Sequence, residues 1–157
     1  MKKRKVGGIF PKLLLRDFAY SENCKRQGFL GEVSVVGFLR QYGFRVRHLS
    51  AENPSSAWDI AILDEQDHIK VLIENKDCTE AKGTRIDKKS KMAKLAIAES
   101  LNCQLILTTV TVPKGICREI RWAKDLRNMR VVDFDPNTNT LKELIADEIG
   151  DKNNGNS

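Results

Sequence analysis

Two runs, WDIAILD (58–64) and IKVLIENK (69–76), are separated by only four polar residues, and this spacing constrains the fold more than any other feature. Each run is rich in β-branched and aliphatic residues, and the short link Glu65 to His68 favours an antiparallel hairpin. Side chains alternate faces along a strand, so Glu74 and Lys76 share one face and Ile69, Val71 and Ile73 take the other. Pairing the strands across the turn sets Asp59 opposite Glu74, or within about one residue of it. One end of the hairpin is therefore expected to carry two carboxylates and an ammonium.

An E-x-K triplet is by itself ordinary and usually marks a solvated strand edge. Asp59 makes that reading harder, because it sits between Trp58 and Ile60, an expensive place for an unpaired carboxylate. Neighbouring carboxylates repel unless positive charge lies between them. Lys76 supplies some, and a divalent cation would supply more. Hard oxygen donors suit magnesium, with the backbone carbonyl of Asn75 as a further candidate ligand. Lys76 is then placed to orient a water or to stabilise developing negative charge. Glu32 is a third acid. On a helix its neighbours three, four and seven residues on are Val35, Val36 and Leu39, so it either sits at the helix boundary or reaches across the sheet toward the other acids.

The remaining pattern reads as alternating elements. Phe29, Val33, Val36 and Leu39 form a helical stripe within 21–42, and Gly43 ends it. FRVRHL (44–49) alternates as a strand, and a loop follows over 50–57. The stretch 77–87 reads as a loop, and 88–101 as a helix with Ala93, Ala96, Ile97 and Leu101 inward. Residues 104–110 read as a buried strand, Ile116, Ile120, Ala123 and Leu126 as a helical stripe, 129–134 as a short strand, and 141–149 as a last helix. The expected architecture is one α/β domain, a mixed β-sheet flanked by helices on both faces, in the order α-β-β-β-α-β-α-β. A basic arm (1–20) precedes this domain (21–149), and a polar tail expected to be disordered (150–157) follows it.

Charge is unevenly placed. The net charge is +6, but residues 1–47 hold eleven Lys and Arg against three acids, so the rest is slightly acidic. A second cluster, Lys82, Arg85, Lys88, Lys89, Lys91 and Lys94, is opposed only by Asp87. Such clusters are what binding to a phosphate backbone needs, although either is also compatible with a solvated face. Lys88 and Lys91 open a helix, where cations oppose the macrodipole, which favours a binding purpose for them. Arg45 and Arg47 share a strand face and are further candidates. His48 and His68 read as surface residues, and Trp58 and Trp122 as packing residues. The four cysteines (Cys24, Cys78, Cys103, Cys117) form no C-x-x-C pair and read as free thiols rather than a zinc site. No apolar run is long enough for a membrane span, and the basic start lacks the rest of a secretory signal, so a cytoplasmic, intracellular protein is expected.

GFLGEVSVVGFLRQYGFRVRHLS, WDIAIL and VLIENK together resemble the PD-(D/E)xK, or restriction-endonuclease-like, nuclease superfamily: a helical Glu, a strand Asp, and a Glu-x-Lys closing the next strand. The matching positions are Glu32, Asp59, Glu74 and Lys76, and the likeness spans roughly residues 21–134. Trp58 stands where many such families have Pro. The front half resembles archaeal Holliday-junction resolvases, which use a Ser after the first strand; Ser50, Ser55 and Ser56 are candidates. The segment from Leu105 to Phe134 resembles the close of Mrr-like, modification-dependent restriction enzymes. The resemblance implies a DNA endonuclease hydrolysing phosphodiester bonds with Mg2+, for which Mn2+ is the expected substitute. It implies Asp59, Glu74 and the Asn75 carbonyl as ligands, and Glu32 at a second metal or a water. The nucleic-acid contacts it implies are Arg45, Arg47, Ser55, Ser56, Lys82, Arg85, Lys88 and Lys91. A four-way or palindromic substrate implies a homodimer. The rival readings are a nuclease-fold protein that binds nucleic acid without cutting it, and an interaction module with an incidental E-x-K.

Overall fold

In a computed structural model, residues 28–77, 88–110 and 129–154 are described. Helix α1 (28–41) leads into strand β1 (Arg45–His48), a single helical turn α2 (Leu49–Glu52), and strands β2 (Ile60–Leu63) and β3 (Ile69–Asp77). Helix α3 (Lys88–Leu101), strands β4 (Gln104–Val110) and β5 (Met129–Asp133), and helix α4 (Thr140–Asn154) complete the described chain. The expected helix around Ile116 to Leu126, the arm 1–20, and Lys82, Arg85, Trp122 and three of the cysteines lie outside the described residues. Two expectations are corrected. The loop after β1 contains α2, and the last helix continues through Asn154 into what reads as a polar tail.

The five strands form one mixed sheet in chain order, β1-β2-β3-β4-β5. The first three are an antiparallel meander, while β3, β4 and β5 run parallel. Parallel neighbours need a crossover, and α3 supplies it between β3 and β4. Alternation along the strands then splits the core in two. Ile60, Ile62, Val71, Ile73, Ile106 and Val132 meet Val35, Val36, Phe38 and Leu39 of α1 and Leu141 and Ile145 of α4. Trp58, Ala61, Leu72, Leu105 and Leu107 meet Ala98 and Leu95 of α3 on the opposite face. The sheet is thus covered by helices on both sides.

The hairpin turn explains one departure. Asp64 Oδ1 accepts hydrogen bonds from the N–H groups of Gln66 and His68, both at 2.9 Å, and Asp67 takes a positive φ of 65°. Ile62 pairs with Val71 but Leu63 with Ile69, so Lys70 is skipped. An extra residue of this kind reverses the faces beyond it. Ile69 therefore packs with Trp58 and Leu72, not with Val71 and Ile73 as strict alternation requires.

Helix α1 ends at Gly43, whose φ is +85°; its N–H donates to the Arg40 carbonyl and the Phe44 N–H to the Leu39 carbonyl. This is the left-handed glycine cap of a Schellman ending. A Cβ at Gly43 would meet nothing within 4 Å, so the penalty of adding one is conformational alone. Gly43→Ala should destabilise the fold by roughly 1 kcal/mol in urea denaturation. An unchanged midpoint would count against the cap.

Candidate active site

Pairing of Ile60 with Ile73 makes Asp59 and Glu74 the next residues on their strands, at the edge where β1 and β3 end and β2 begins. The Asp59 N–H donates to the Ile73 carbonyl at 3.2 Å, and Asp59 Oδ2 accepts from the Asn75 N–H at 2.9 Å. In extended backbone a residue's N–H and C=O share a strand edge, so the Asn75 carbonyl faces the same edge as its N–H. The Asn75 side chain turns the other way. Its Oδ1 accepts from Thr108 Oγ1 at 2.8 Å, and its buried Nδ2 has no acceptor among the described residues.

Burial pushes the Asp59 carboxyl up to about 8, with the nearby charge of Glu74 second. The Asn75 N–H opposes the shift, and Glu32, through its charge and a carboxyl–carboxyl hydrogen bond, adds to it. The three acids that the sequence singles out therefore act on one another electrostatically. Among the described residues no group of three or more His, Cys, Asp or Glu could hold a metal ion on its own. A cation at this edge would lean on one or two carboxylates, a main-chain carbonyl and water, the mixture that magnesium takes.

Glu32 reaches this edge from α1. Its Oε2 accepts from Ser50 Oγ at 2.8 Å and lies 2.9 Å from His48 Nε2, on a ring stacked against Phe29. His48 is thus not a surface residue, since only 11% of its side chain is exposed. Of the three candidate serines, Ser50 is the one that meets Glu32. The Ser55 N–H instead donates to Asn53 Oδ1, and the Ser56 hydroxyl to the Trp58 carbonyl, so both shape the loop. The stripe along α1 is also turned: Val35, Val36, Phe38 and Leu39 are buried, whereas Phe29 and Val33 are exposed.

Lysines meet Glu74 from two sides. Lys76 Nζ lies 3.2 Å from Oε1. Lys94 Nζ, from α3, lies 2.7 Å from Oε2 and also donates to the Ala57 carbonyl. In the sequence Lys94 stands out only as a member of a charge cluster; in the fold it is 8% exposed, as deeply placed as Ala98. The inward face of α3 is accordingly not Ala93, Ala96, Ile97 and Leu101, which are exposed, but Lys94 and Ala98 with Leu95 beside them. A buried carboxylate needs a charged partner more than the sheet needs one more alanine. The sequence signal was present but weak: Lys88, Lys91 and Lys94 recur every three residues, so they share one side of the helix, and their exposure falls toward Glu74.

In comparisons with family models, curated proteins and solved structures, nothing matches this chain.

The other basic candidates are placed as follows. Arg45 forms an ion pair with Asp67 and donates to the Asp64 and Glu65 carbonyls. Arg47 forms a two-point pair with Glu52. Both are exposed on β1, each already engaged by an acid of the same chain. Lys88 is exposed and Lys91 partly buried at the start of α3. Cys103 is partly buried and packs against the cluster of Trp58, Leu72, Ala98 and Leu105. No helix among the described residues is long and apolar enough to cross a membrane.

Proposed function

We propose that this chain is a magnesium-dependent DNA endonuclease of the PD-(D/E)xK kind, hydrolysing phosphodiester bonds at the edge formed by Asp59 and Glu74. One observation carries the reading: the Asp59 N–H donates to the Ile73 carbonyl and Asp59 Oδ2 accepts from the Asn75 N–H, so two acids on adjacent strands, Asp59 and Glu74, meet at one place, where burial first and the Glu74 charge second raise Asp59. A site of that kind is poised to exchange a proton for a cation. The donors that face it are hard oxygens, from Asp59, Glu74 and the Asn75 backbone. Order and pairing add support. A helix, an antiparallel meander, a crossover helix and a parallel strand follow one another with Glu32, Asp59, Glu74 and Lys76 at the matching positions.

When bound, magnesium supplies Lewis acidity and makes a water easier to deprotonate. The remaining work falls to the chain. Asp59 and Glu74 fix the position of that charge, and the Asn75 N–H orients Asp59. Lys76, 32% exposed and 3.2 Å from Glu74, is placed to align the attacking water or to offset charge on the phosphoryl oxygens. Glu32, held by Ser50 and His48, adds its charge to the surroundings of Asp59. Lys88 and Lys91 lead from solvent toward the site and would follow a phosphate backbone. Junction resolution and restriction or repair cutting are the leading subtypes, and a four-way or palindromic substrate would need a homodimer, because two cuts need two sites.

A second reading is favoured by one observation. Glu74 already has two ammonium partners, and a protonated Asp59 carries no charge, so the cluster is electrically satisfied without a cation. The protein would then bind nucleic acid without cutting it. Incubation with supercoiled plasmid and with a labelled four-way junction, in magnesium and in EDTA, separates the two. Nicks or resolved arms in magnesium alone are expected. A salt-sensitive gel shift with intact DNA under every condition supports binding without cleavage.

A further inference from the structure

The two oxygens of Glu74 are held unequally. Oε2 accepts from Lys94 Nζ at 2.7 Å, in a pair whose side chains are 10% and 7% exposed. That ammonium also donates to the Ala57 carbonyl and lies 5.0 Å from the centroid of the Trp58 ring. The Trp58 indole N–H in turn donates to the Lys94 carbonyl at 3.2 Å, so the lysine is fixed at its head and at its backbone. Oε1 faces Lys76, whose side chain is 32% exposed. A cation approaching from the Asp59 side can take Oε1 by shifting a lysine that water can reach. Taking Oε2 as well would strand a buried ammonium and break its bond to Glu74, a far more expensive change.

We propose that Lys94 determines which cation the site accepts: by occupying Oε2 it limits Glu74 to one-oxygen ligation, and so favours magnesium over calcium. The reason is coordination. Magnesium takes six ligands at short distance and keeps several waters, so one oxygen from each carboxylate suffices. Calcium takes six to eight ligands and gains most from carboxylates that offer both oxygens. The inference rests on the cation-dependent reading above and goes beyond it, because it assigns a specificity role to a residue outside the Glu-x-Lys pattern.

The test is calorimetric titration of the whole protein with MgCl2 and with CaCl2, comparing wild type with Lys94→Met and Lys94→Arg. Met keeps the apolar stem, one atom shorter, but has no donor; Arg keeps a donor on Oε2. Lys94→Met should raise the ratio of calcium to magnesium affinity about tenfold, and Lys94→Arg should keep the wild-type ratio. Equal ratios in wild type and Lys94→Met, with binding still lost in Glu74→Gln, overturn this inference and leave the cation-dependent reading standing. Wild-type protein that binds neither cation overturns both. Should Lys94→Met not fold, infrared difference spectra of wild type labelled with 13C-glutamate, with and without CaCl2 and corrected with Glu74→Gln, decide the matter. A wide splitting of the carboxylate stretches, as in one-oxygen ligation, is expected, and the narrow splitting of two-oxygen ligation overturns the proposal.

Discussion

Asp59→Asn should lower magnesium-dependent cleavage by at least about 10³-fold, roughly 4 kcal/mol of transition-state stabilisation, while DNA binding stays largely intact. The substitution is close to isosteric. The amide oxygen can still accept from the Asn75 N–H, which reaches Asp59 Oδ2 at 2.9 Å, so the strand ends should stay paired. What is lost is a carboxyl that can give up its proton and carry charge toward a cation. Glu74→Ala should have a similar effect on cutting but a different one on folding, because it leaves the Lys94 ammonium, now paired with Glu74 at 2.7 Å, buried beside Trp58 with only the Ala57 carbonyl. Single-turnover cleavage at saturating protein, alongside a gel-shift titration, separates the two contributions. Wild-type rates in Asp59→Asn would exclude a catalytic part for that carboxyl.

The second large effect is on stability, and its sign follows from the direction of the Asp59 shift. In the unfolded chain this carboxyl ionises near 3.8, whereas in the fold it keeps its proton to about 8. Below the first value both states hold the proton, and the stabilisation is fully present. Between the two values the unfolded chain has released a proton that the folded chain retains, so rising pH favours unfolding. Above about 8 the loss is complete, and it should reach several kcal/mol. Urea midpoints should therefore fall from pH 5 to pH 8.5 in the wild type and stay much flatter in Asp59→Asn, which has no proton to lose there. Superimposable pH profiles for the two proteins would show that burial does not hold the Asp59 proton. On the cation-dependent reading, magnesium at pH 7 should release close to one proton per ion bound, visible as a buffer-dependent heat of binding.

The sequence alone determined what is local. The Asp59–Glu74 juxtaposition could be read because a short turn leaves a hairpin almost no choice of register, and a carboxylate inside WDIAILD has few places to go. The strands at 69–76 and 104–110, the helix at 88–101 and the glycine stop at 43 could be read for the same reason, since period, turn chemistry and capping act over a few residues, and β3 runs one residue further, to Asp77. Even here one skipped residue, Lys70, moved Ile69 to the other face of the sheet.

Tertiary structure decided what depends on rotation and reach. In α3 the apolar residues Met92, Ala93, Leu95, Ala96, Ile97, Ala98 and Leu101 lie nearly all the way round, so hydrophobicity does not choose which side faces the sheet. The buried charge of Glu74 does, by drawing Lys94 inward. The meeting of Glu32 with His48 and Ser50 likewise depends on how α1 lies across the strand ends, and no spacing within the chain reports that. Short-range geometry is written residue by residue, whereas the facing of a helix is settled by whichever distant group is most expensive to leave without a partner.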